Sequence, residues 1–255
     1  MKNPDTAISV QNLSAGYGGT PVIEDVNFTV SKGEIFVIIG GSGCGKSTLL
    51  KHMIGLLPPM TGEILILGEN LCTAYGEQRN LMLRKIGVAF QSGALFGSMT
   101  VLENIKLPLM EFSSLPEDMI GDIARLKLKL VGLEYAAFLM PSELSGGMKK
   151  RAALARAMAL DPEIIFLDEP SAGLDPVTSF QLDELVMTLS QSFGITFVIV
   201  THELASIEHI SDRIIMLDKA RKGIIATGTF HQLKYETRDE TVRQFFMRTT
   251  AKEES

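Results

Sequence analysis

The stretch Gly40-Gly41-Ser42-Gly43-Cys44-Gly45-Lys46-Ser47-Thr48 decides how this sequence folds. It fits G-x-x-x-x-G-K-[ST], a loop whose backbone N–H groups cradle the phosphates of a nucleotide. Residues 34–39 (EIFVII) before it favour a buried parallel strand, and residues 47–57 after it favour a helix. Glycines let the N–H groups converge, and the helix dipole attracts negative charge. We therefore predict that these nine residues bind a nucleoside triphosphate, with Lys46 on the β- and γ-phosphates and Ser47 on Mg²⁺.

Length, charge and cysteine content restrict the class of protein. The 255 residues suffice for one large or two closely joined domains. The net charge of 24 − 30 = −6, without a Lys/Arg run, argues against a nucleic-acid partner. The apolar runs are too short for a bilayer span, and the polar start does not resemble a signal peptide. Two cysteines suit a reducing cytoplasm, and we expect Cys44 to fill space in the loop rather than to react.

The rest of the chain alternates predicted strands and helices. Residues 8–13 and 22–30 alternate apolar and polar side chains, which predicts antiparallel strands joined by a turn at residues 14–19 that carries Tyr17. Residues 92–141 have helical periodicity interrupted by prolines, which predicts a mostly helical insert. Strands and helices alternate again afterwards. This pattern predicts an α/β fold whose mainly parallel sheet is covered by helices on both faces.

An apolar strand at residues 164–167 ends in two carboxylates, Asp168 and Glu169. Ligands of open α/β sheets bind at the carboxyl ends of strands, so both side chains should face the phosphate loop. We predict that Asp168 holds Mg²⁺, directly or through water, and that Glu169 polarises the water attacking the γ-phosphate. An acidic turn without chemical function is the alternative, which the phosphate loop disfavours.

The signature segment, Leu144-Ser145-Gly146-Gly147-Met148, predicts a second anion site. Ser145 is a good helix N-cap, and the two glycines expose backbone N–H groups at the positive end of a helix. Simple helix capping is the alternative. Because this segment is far from the phosphate loop in sequence, we hypothesise that ATP bound by one copy of the chain is clasped by the signature segment of another.

These motifs occur in the order found in ATPase subunits of ABC transporters, and the chain resembles that family from about residue 8 to 233. The matching segments are residues 40–48, Gln91, residues 144–148, residues 164–169, residues 171–175 and His202. The resemblance implies a P-loop (RecA-like) core with a mainly parallel sheet, an N-terminal antiparallel β subdomain and a helical insert. It also implies a homodimer that binds ATP and Mg²⁺ and hydrolyses ATP.

The resemblance gives roles to individual side chains. It implies that Tyr17 stacks on adenine and that Gln91 contacts Mg²⁺ or the attacking water. The serine and second glycine of the signature segment would grip the γ-phosphate of the opposite protomer. Asp175 would sense the partner subunit, and His202 would contact the γ-phosphate.

One departure from the family pattern indicates a subfamily. Met148 stands where most members have glutamine, yet the phosphate donors are unchanged, so hydrolysis should survive. Two short motifs resemble those of ATPases of MCE-type lipid transporters, such as the bacterial Mla system. They are Met148 with residues 149–151, and residues 91–96 (QSGALF). This similarity implies phospholipid transport between the inner and outer membranes. It also implies a membrane permease, an MCE lipid-binding subunit, a small STAS-domain protein and a peripheral location on the cytoplasmic face of the bacterial inner membrane.

We predict an ATPase domain at residues 1–233, with its insert at about residues 92–141, and a C-terminal helical extension at residues 234–255. The apolar start of the insert, with Leu95 and Phe96, is expected to dock on the permease. The extension carries an apolar stripe at helical spacing, formed by Val242, Phe245 and Phe246. Packing of this stripe on its own domain is favoured over contact with another protein.

Other functions share part of this pattern. The ATPase of an ABC importer for another cargo would carry the same motifs, because the permease and binding protein choose the cargo. A soluble ABC ATPase of translation or DNA repair usually has two such domains or a long coiled-coil insertion, and this sequence shows neither. A P-loop kinase would have an acceptor-substrate lid and no Leu-Ser-Gly-Gly motif.

Overall fold

The computed structural model describes residues 5–253, with side chains described for residues 5–247. The strands are β1 (Thr6–Tyr17), β2 (Thr20–Ser31), β3 (Ile35–Gly40), β4 (Thr61–Ile66), β5 (Glu69–Asn70), β6 (Ile86–Ala89), β7 (Ile164–Asp168), β8 (Thr196–Val200), β9 (Arg213–Asp218) and β10 (Gly223–Gly228). The α-helices are α1 (Lys46–Met53), α2 (Gly76–Arg84), α3 (Val101–Phe112), α4 (Glu117–Leu130), α5 (Gly146–Ala157), α6 (Pro176–Phe193), α7 (Leu204–Ile210) and α8 (Glu240–Glu253). Short 3₁₀ turns lie at Glu134–Ala136 and Pro141–Glu143, and a π-helical turn lies at Gln232–Glu236.

The larger sheet has the strand order β10-β9-β3-β8-β7-β6. Its pairs are parallel except β9 with β10, so the predicted mainly parallel α/β fold is confirmed. The register pairs Ile38 of β3 with Val200 of β8, and Val200 with Asp168 of β7. The carboxyl ends of these three strands therefore meet at one edge, where the phosphate loop follows β3.

Both faces of this sheet are covered, because successive side chains of β3 pack into two different cores. Along β3, Val37 and Ile39 pack into the core shared with the helices of the insert. Phe36 and Ile38 pack into the opposite core, which the N-terminal strands and α1 share. A strand that is buried on both faces is apolar throughout, which explains the unbroken apolar run of β3.

The smaller sheet has the order β2-β1-β4-β5, and its strands pair antiparallel. The predicted turn at residues 14–19 is too long, because β1 continues to Tyr17 and only Gly18 and Gly19 make the turn, with φ of +56° and +80°. The prediction took Gly16 as a turn residue. Gly16 instead lies within the strand, where a Cβ atom would come 2.0 Å from the Thr20 carbonyl oxygen.

Helices α3 and α4 occupy the predicted insert and pack on each other and on α5. Pro108 was expected to interrupt the helical pattern, but it lies inside α3. The capping box formed by Thr100 and Glu103 begins this helix, and its buried face, including Ile105, holds the helix across the proline. The domain limits themselves stay a prediction.

The C-terminal apolar stripe packs on the chain itself. Val242 and Phe246 are buried in the same core as the insert, and the Phe246 ring meets Phe230 edge-on at 5.5 Å. Across residues 5–253, the helices are too short or too polar to span a bilayer.

Candidate nucleotide-binding and catalytic site

The phosphate loop joins β3 to α1 through glycines in backbone conformations that other residues rarely adopt. Gly40, Gly43 and Gly45 have φ of +147°, +73° and +104°. No side chain caps α1 at its N-terminus, so its first N–H groups face the loop. The Lys46 ammonium donates to the carbonyl oxygens of Gly40 at 2.7 Å and Gly41 at 3.2 Å. Converging N–H groups and a positive charge make this loop an anion cradle.

Cys44 fills the space behind the loop, as predicted. Its side chain is buried, and its sulfur would lie 2.6 Å from a Cβ atom on Gly40. Burial raises the pKa of the thiol, with the Lys46 charge acting in the opposite direction. The raised pKa disfavours the reactive thiolate at neutral pH.

Tyr17 lies beside the start of α1. Its ring is half-exposed, and its hydroxyl accepts a hydrogen bond from Thr48 at 3.5 Å. The Lys51 ammonium lies 6.0 Å from the ring centroid. The structure therefore brings this half-exposed aromatic side chain to the helix that carries Lys46 and Ser47.

Glu169 is held in a strained conformation at the end of β7. Its φ of +47° lies in the left-handed region, which costs about 1–3 kcal/mol and persists only where the surroundings fix it. Its N–H donates to the Val200 carbonyl oxygen at 2.8 Å. Its Oε1 atom lies 2.8 Å from His202 Nδ1, whereas Oε2 is buried and has no hydrogen-bond partner within the described chain. One carboxylate oxygen is thus oriented, and the other is left to accept a hydrogen bond.

Asp168 precedes Glu169. Burial raises the pKa of its carboxyl group, and the neighbouring Glu169 charge raises it further. The charges of Lys150, Lys46 and Lys51 act on the same carboxyl group and lower its pKa. A cation would relieve the effects of burial and of the Glu169 charge. Ser47 at the start of α1 and Gln91 after β6 supply the other predicted oxygen ligands. Among the side chains of residues 5–247, no group of three or more His, Cys, Asp or Glu could hold a metal ion.

The signature segment lies at the start of α5, beside the start of α6. The Ser145 hydroxyl accepts from the Met148 N–H at 3.3 Å, and a Cβ atom on Gly147 would come 2.5 Å from Thr178. Asp175 caps α6 by accepting from the Val177 and Thr178 N–H groups, each at 3.1 Å. The Thr178 hydroxyl lowers the pKa of the Asp175 carboxyl group.

The structure brings Glu169, His202 and the phosphate loop to one edge of the sheet. No hydrogen bond within residues 5–247 links Ser145 to the phosphate loop. The two-copy hypothesis is compatible with this, since it places the two segments in different copies of the chain. The roles of the individual residues stay predictions.

The sequence prediction missed two cations on α5 that contact this edge. The Lys150 ammonium donates to the carbonyl oxygens of Gln91 at 2.6 Å and Glu169 at 2.9 Å. Arg156 donates to the carbonyl oxygens of Ala94 at 2.7 Å and Gly93 at 3.1 Å. Lys150 belongs to the basic run at residues 149–151, which the sequence shows after the signature segment. Only the tertiary packing shows the carbonyl oxygens that Lys150 and Arg156 contact.

Comparisons with known proteins agree with this geometry. The family model described as ABC transporter matches residues 23–172. The intermembrane phospholipid transport system ATP-binding protein MlaF of Haemophilus influenzae is 41% identical over 238 residues, covering 93% of this chain and 89% of that protein. MlaF of Escherichia coli is 40% identical, with 93% and 87% covered. The probable ribonucleotide transport ATP-binding protein mkl of Mycobacterium leprae is 42% identical over 240 residues, with 94% and 68% covered.

Solved structures show the same architecture. A dimeric, post-hydrolysis structure of the ATP-binding cassette MJ0796 bound to ADP and Pi has a TM-score of 0.79 and 31% identity, covering 88% of this chain and 98% of that one. The cbiO1 protein of Clostridium perfringens, part of the ABC transporter complex cbiONQ, has a TM-score of 0.82 and 29% identity, covering 97% of each chain.

The fold and the site define an ATP-binding-cassette ATPase, and this chain belongs to the ABC transporter family. Among the relatives named above, the MlaF proteins match it over nearly their whole length. The predictions of family, fold, ATPase class and ATP as ligand are confirmed.

Proposed function

We propose that this chain is the ATPase subunit of an ABC transporter that moves phospholipid between the inner and outer bacterial membranes. The supporting observation is the near end-to-end match to MlaF, which covers 89% of the Haemophilus protein, compared with 68% of mkl. The mkl relative, at 42% identity, makes a ribonucleotide transporter the second candidate. The chain would sit at the cytoplasmic face of the inner membrane with a permease, an MCE lipid-binding subunit and a small STAS-domain protein.

In the proposed reaction the phosphate loop and Lys46 hold the triphosphate of ATP. Ser47, Asp168 and Gln91 would hold Mg²⁺, which when bound neutralises phosphate charge. Glu169 accepts a hydrogen bond from the attacking water, and the contact of its Oε1 atom with His202 fixes the direction of its free oxygen.

A homodimer completes this site. Within residues 5–247, no hydrogen bond joins the phosphate loop to the signature segment of the same chain, and the MJ0796 cassette is a dimer. The signature segment of one copy would place the Ser145 hydroxyl and the Gly147 N–H on the γ-phosphate held by the other copy. Closure then depends on the γ-phosphate, because its charge attracts both positive helix ends.

The docking groove for the permease would lie between α2 and α3. This groove holds about 280 Å³ and is lined mainly by apolar side chains, including Leu83, Ile86, Pro108, Phe112 and Leu160. The expected contact through Leu95 is not supported, because Leu95 is half-buried and packs against the core. Phe96 is half-exposed but lies outside the lining of the groove, against Arg156. The half-exposed Phe112 is the better candidate.

Phe112→Asp is expected to weaken co-purification of the permease by about tenfold, because truncating a central aromatic contact costs 1–2 kcal/mol or more. ATP hydrolysis by the isolated chain should be unchanged. Phe193→Asp is the matched control, since Phe193 is also half-exposed but lies at the end of α6 outside the groove. Equal permease recovery with both variants would exclude this docking groove.

The cargo proposal is tested with the complex purified through this chain and reconstituted between two vesicle populations. ATP with Mg²⁺ should drive transfer of a labelled phospholipid, and ADP should not. Labelled ribonucleotide is the parallel cargo. Hydrolysis without phospholipid transfer would reject the lipid cargo, and ATP-dependent ribonucleotide uptake would favour the second candidate.

A further inference from the structure

Lys150 joins two segments at the catalytic edge, by which we mean the carboxyl ends of β3, β7 and β8 together with the residues that follow these strands and β6. No other side chain within residues 5–247 is hydrogen-bonded to both segments. Its ammonium donates to the carbonyl oxygen of Gln91, after β6, at 2.6 Å and to that of Glu169, after β7, at 2.9 Å. The side chain is half-buried. Burial lowers the pKa of its amine, and the charges of Glu169 and Asp168 act against that shift. Two charge-assisted hydrogen bonds to backbone carbonyls hold the half-buried Lys150 side chain in one position, unlike a mobile lysine on the surface.

Glu169 depends on such fixed points because its backbone is strained. A positive φ at a non-glycine residue persists only where the surroundings determine it. Four contacts do so here: the N–H bond to Val200, the Oε1 contact with His202, and the bonds that the carbonyl oxygen accepts from Lys150 and from the Ala172 N–H. The Lys150 bond is the one that comes from α5, the helix that follows the signature segment.

The same helix also holds the segment that follows Gln91. Arg156, on α5, donates to the carbonyl oxygens of Gly93 and Ala94 at 3.1 and 2.7 Å. Arg156 also lines the docking groove. Residues 91–94 are thus bound to α5 at both ends, and Lys150 bonds Glu169 to the same helix. A displacement of α5 would therefore act on the glutamate backbone.

We propose that Lys150 is a positioning residue, which acts through Glu169 and couples the orientation of that carboxylate to the segment beside the docking groove. The inference rests on the proposed function, in which Glu169 aligns the attacking water. Without the ammonium, the Glu169 carbonyl oxygen keeps a contact with the Ala172 N–H at 3.3 Å. Removal of the bond should therefore loosen the glutamate while leaving the fold and the phosphate loop intact.

Lys150→Met is expected to lower kcat for ATP hydrolysis by at least about tenfold, because small displacements of a catalytic group cost up to about 10²-fold. The KM for ATP should stay within about twofold, since no hydrogen bond joins Lys150 to the phosphate loop in the part of the chain that the structure describes. Lys150→Arg should recover kcat to within about threefold by donating to the same carbonyls. Lys149→Met is the matched control: it removes the neighbouring charge, and no hydrogen bond from its side chain reaches Gln91 or Glu169 within the described residues.

A double-mutant cycle separates positioning from a general structural effect. If Lys150 acts through Glu169, Lys150→Met should lower kcat far less in a Glu169→Gln background than in the wild type. Equal fold-losses in both backgrounds would overturn the inference, as would a Lys150→Met enzyme with wild-type kcat or a loss carried only by KM. Lys150→Gln serves the same cycle if the methionine variant does not fold. A wild-type chain that binds ATP without hydrolysing it would instead refute the proposed function.

Discussion

Glu169→Gln is expected to lower kcat for ATP hydrolysis by about 10²- to 10⁴-fold, the usual contribution of a positioned general base. The amide keeps the size of the carboxylate but cannot accept the proton of the attacking water. ATP should still bind with nearly unchanged affinity, because the phosphate loop and Lys46 are untouched. Since the γ-phosphate then persists, the variant should also accumulate as a dimer in the presence of ATP.

The geometry around Glu169 explains why the effect should be large. Its Oε2 atom is buried without a partner in the described chain, and a desolvated acceptor is where a hydrogen bond from water is most favourable. His202 contacts the other oxygen at 2.8 Å and prevents the side chain from turning away. The carboxylate is therefore oriented before ATP binds, so that the activation free energy of hydrolysis contains no contribution from orienting it.

Single-turnover hydrolysis and size-exclusion chromatography with ATP measure the two halves of this prediction. Glu203→Gln is the matched control, since Glu203 lies 3.8 Å from His202 Nε2 on the side away from Glu169. It removes the same charge next to the same histidine, and it should keep kcat within about threefold of the wild type. A Glu169→Gln enzyme with wild-type kcat would exclude Glu169 as the base.

Much of the fold could be predicted because its signals are local. The unbroken apolar run of β3 and the glycines after it determine a buried strand, a tight turn and a helix start within a few residues. Likewise the alternation of strands and helices after the insert is confirmed, and β8 (Thr196–Val200) is a short apolar strand with all of its side chains buried. Gly16 and Pro108 misled the prediction, since tertiary packing overrides the local preferences of both residues.

The residues of the catalytic edge could be predicted individually, but the hydrogen bonds that link them could not. Asp168, Glu169 and His202 follow strand ends, and parallel strands bring their carboxyl ends together. The contacts of Lys150 join α5 to two loops that are distant in sequence, and no periodicity encodes such a pairing. The positive φ of Glu169 is equally invisible in the sequence, because it is imposed by neighbours rather than by the residue itself.

Two inactive variants are expected to restore activity when they are mixed. Lys46→Ala removes the ammonium of the phosphate loop, and Ser145→Arg places a bulky side chain at the start of α5, where loss of a phosphate donor should cost about 10²- to 10³-fold. In a mixed dimer, the intact phosphate loop of the Ser145→Arg chain faces the intact signature segment of the Lys46→Ala chain. One complete site is thereby rebuilt. The other site carries both changes.

The amount of restored activity follows from two-fold symmetry. An equimolar mixture that reassorts freely contains about half mixed dimers, each with one of two sites intact, so hydrolysis should return to about one quarter of wild type. Each variant alone is the control and should stay near background. Reassortment is ensured by mixing before ATP is added, or by co-expression with two different tags.

A site contained within one chain predicts the opposite result. Each variant would then be damaged in every copy, and no mixing ratio could recover hydrolysis. Within the described chain, no hydrogen bond joins the start of α5 to the phosphate loop. Ser145 and Gly146 at this helix start are exposed, and the Ser145 hydroxyl caps the helix. Such a helix end is a site for an anion supplied from outside the chain. Recovery at about one quarter would identify that anion as the γ-phosphate held by the second copy, because only a shared site can be reassembled from two different lesions.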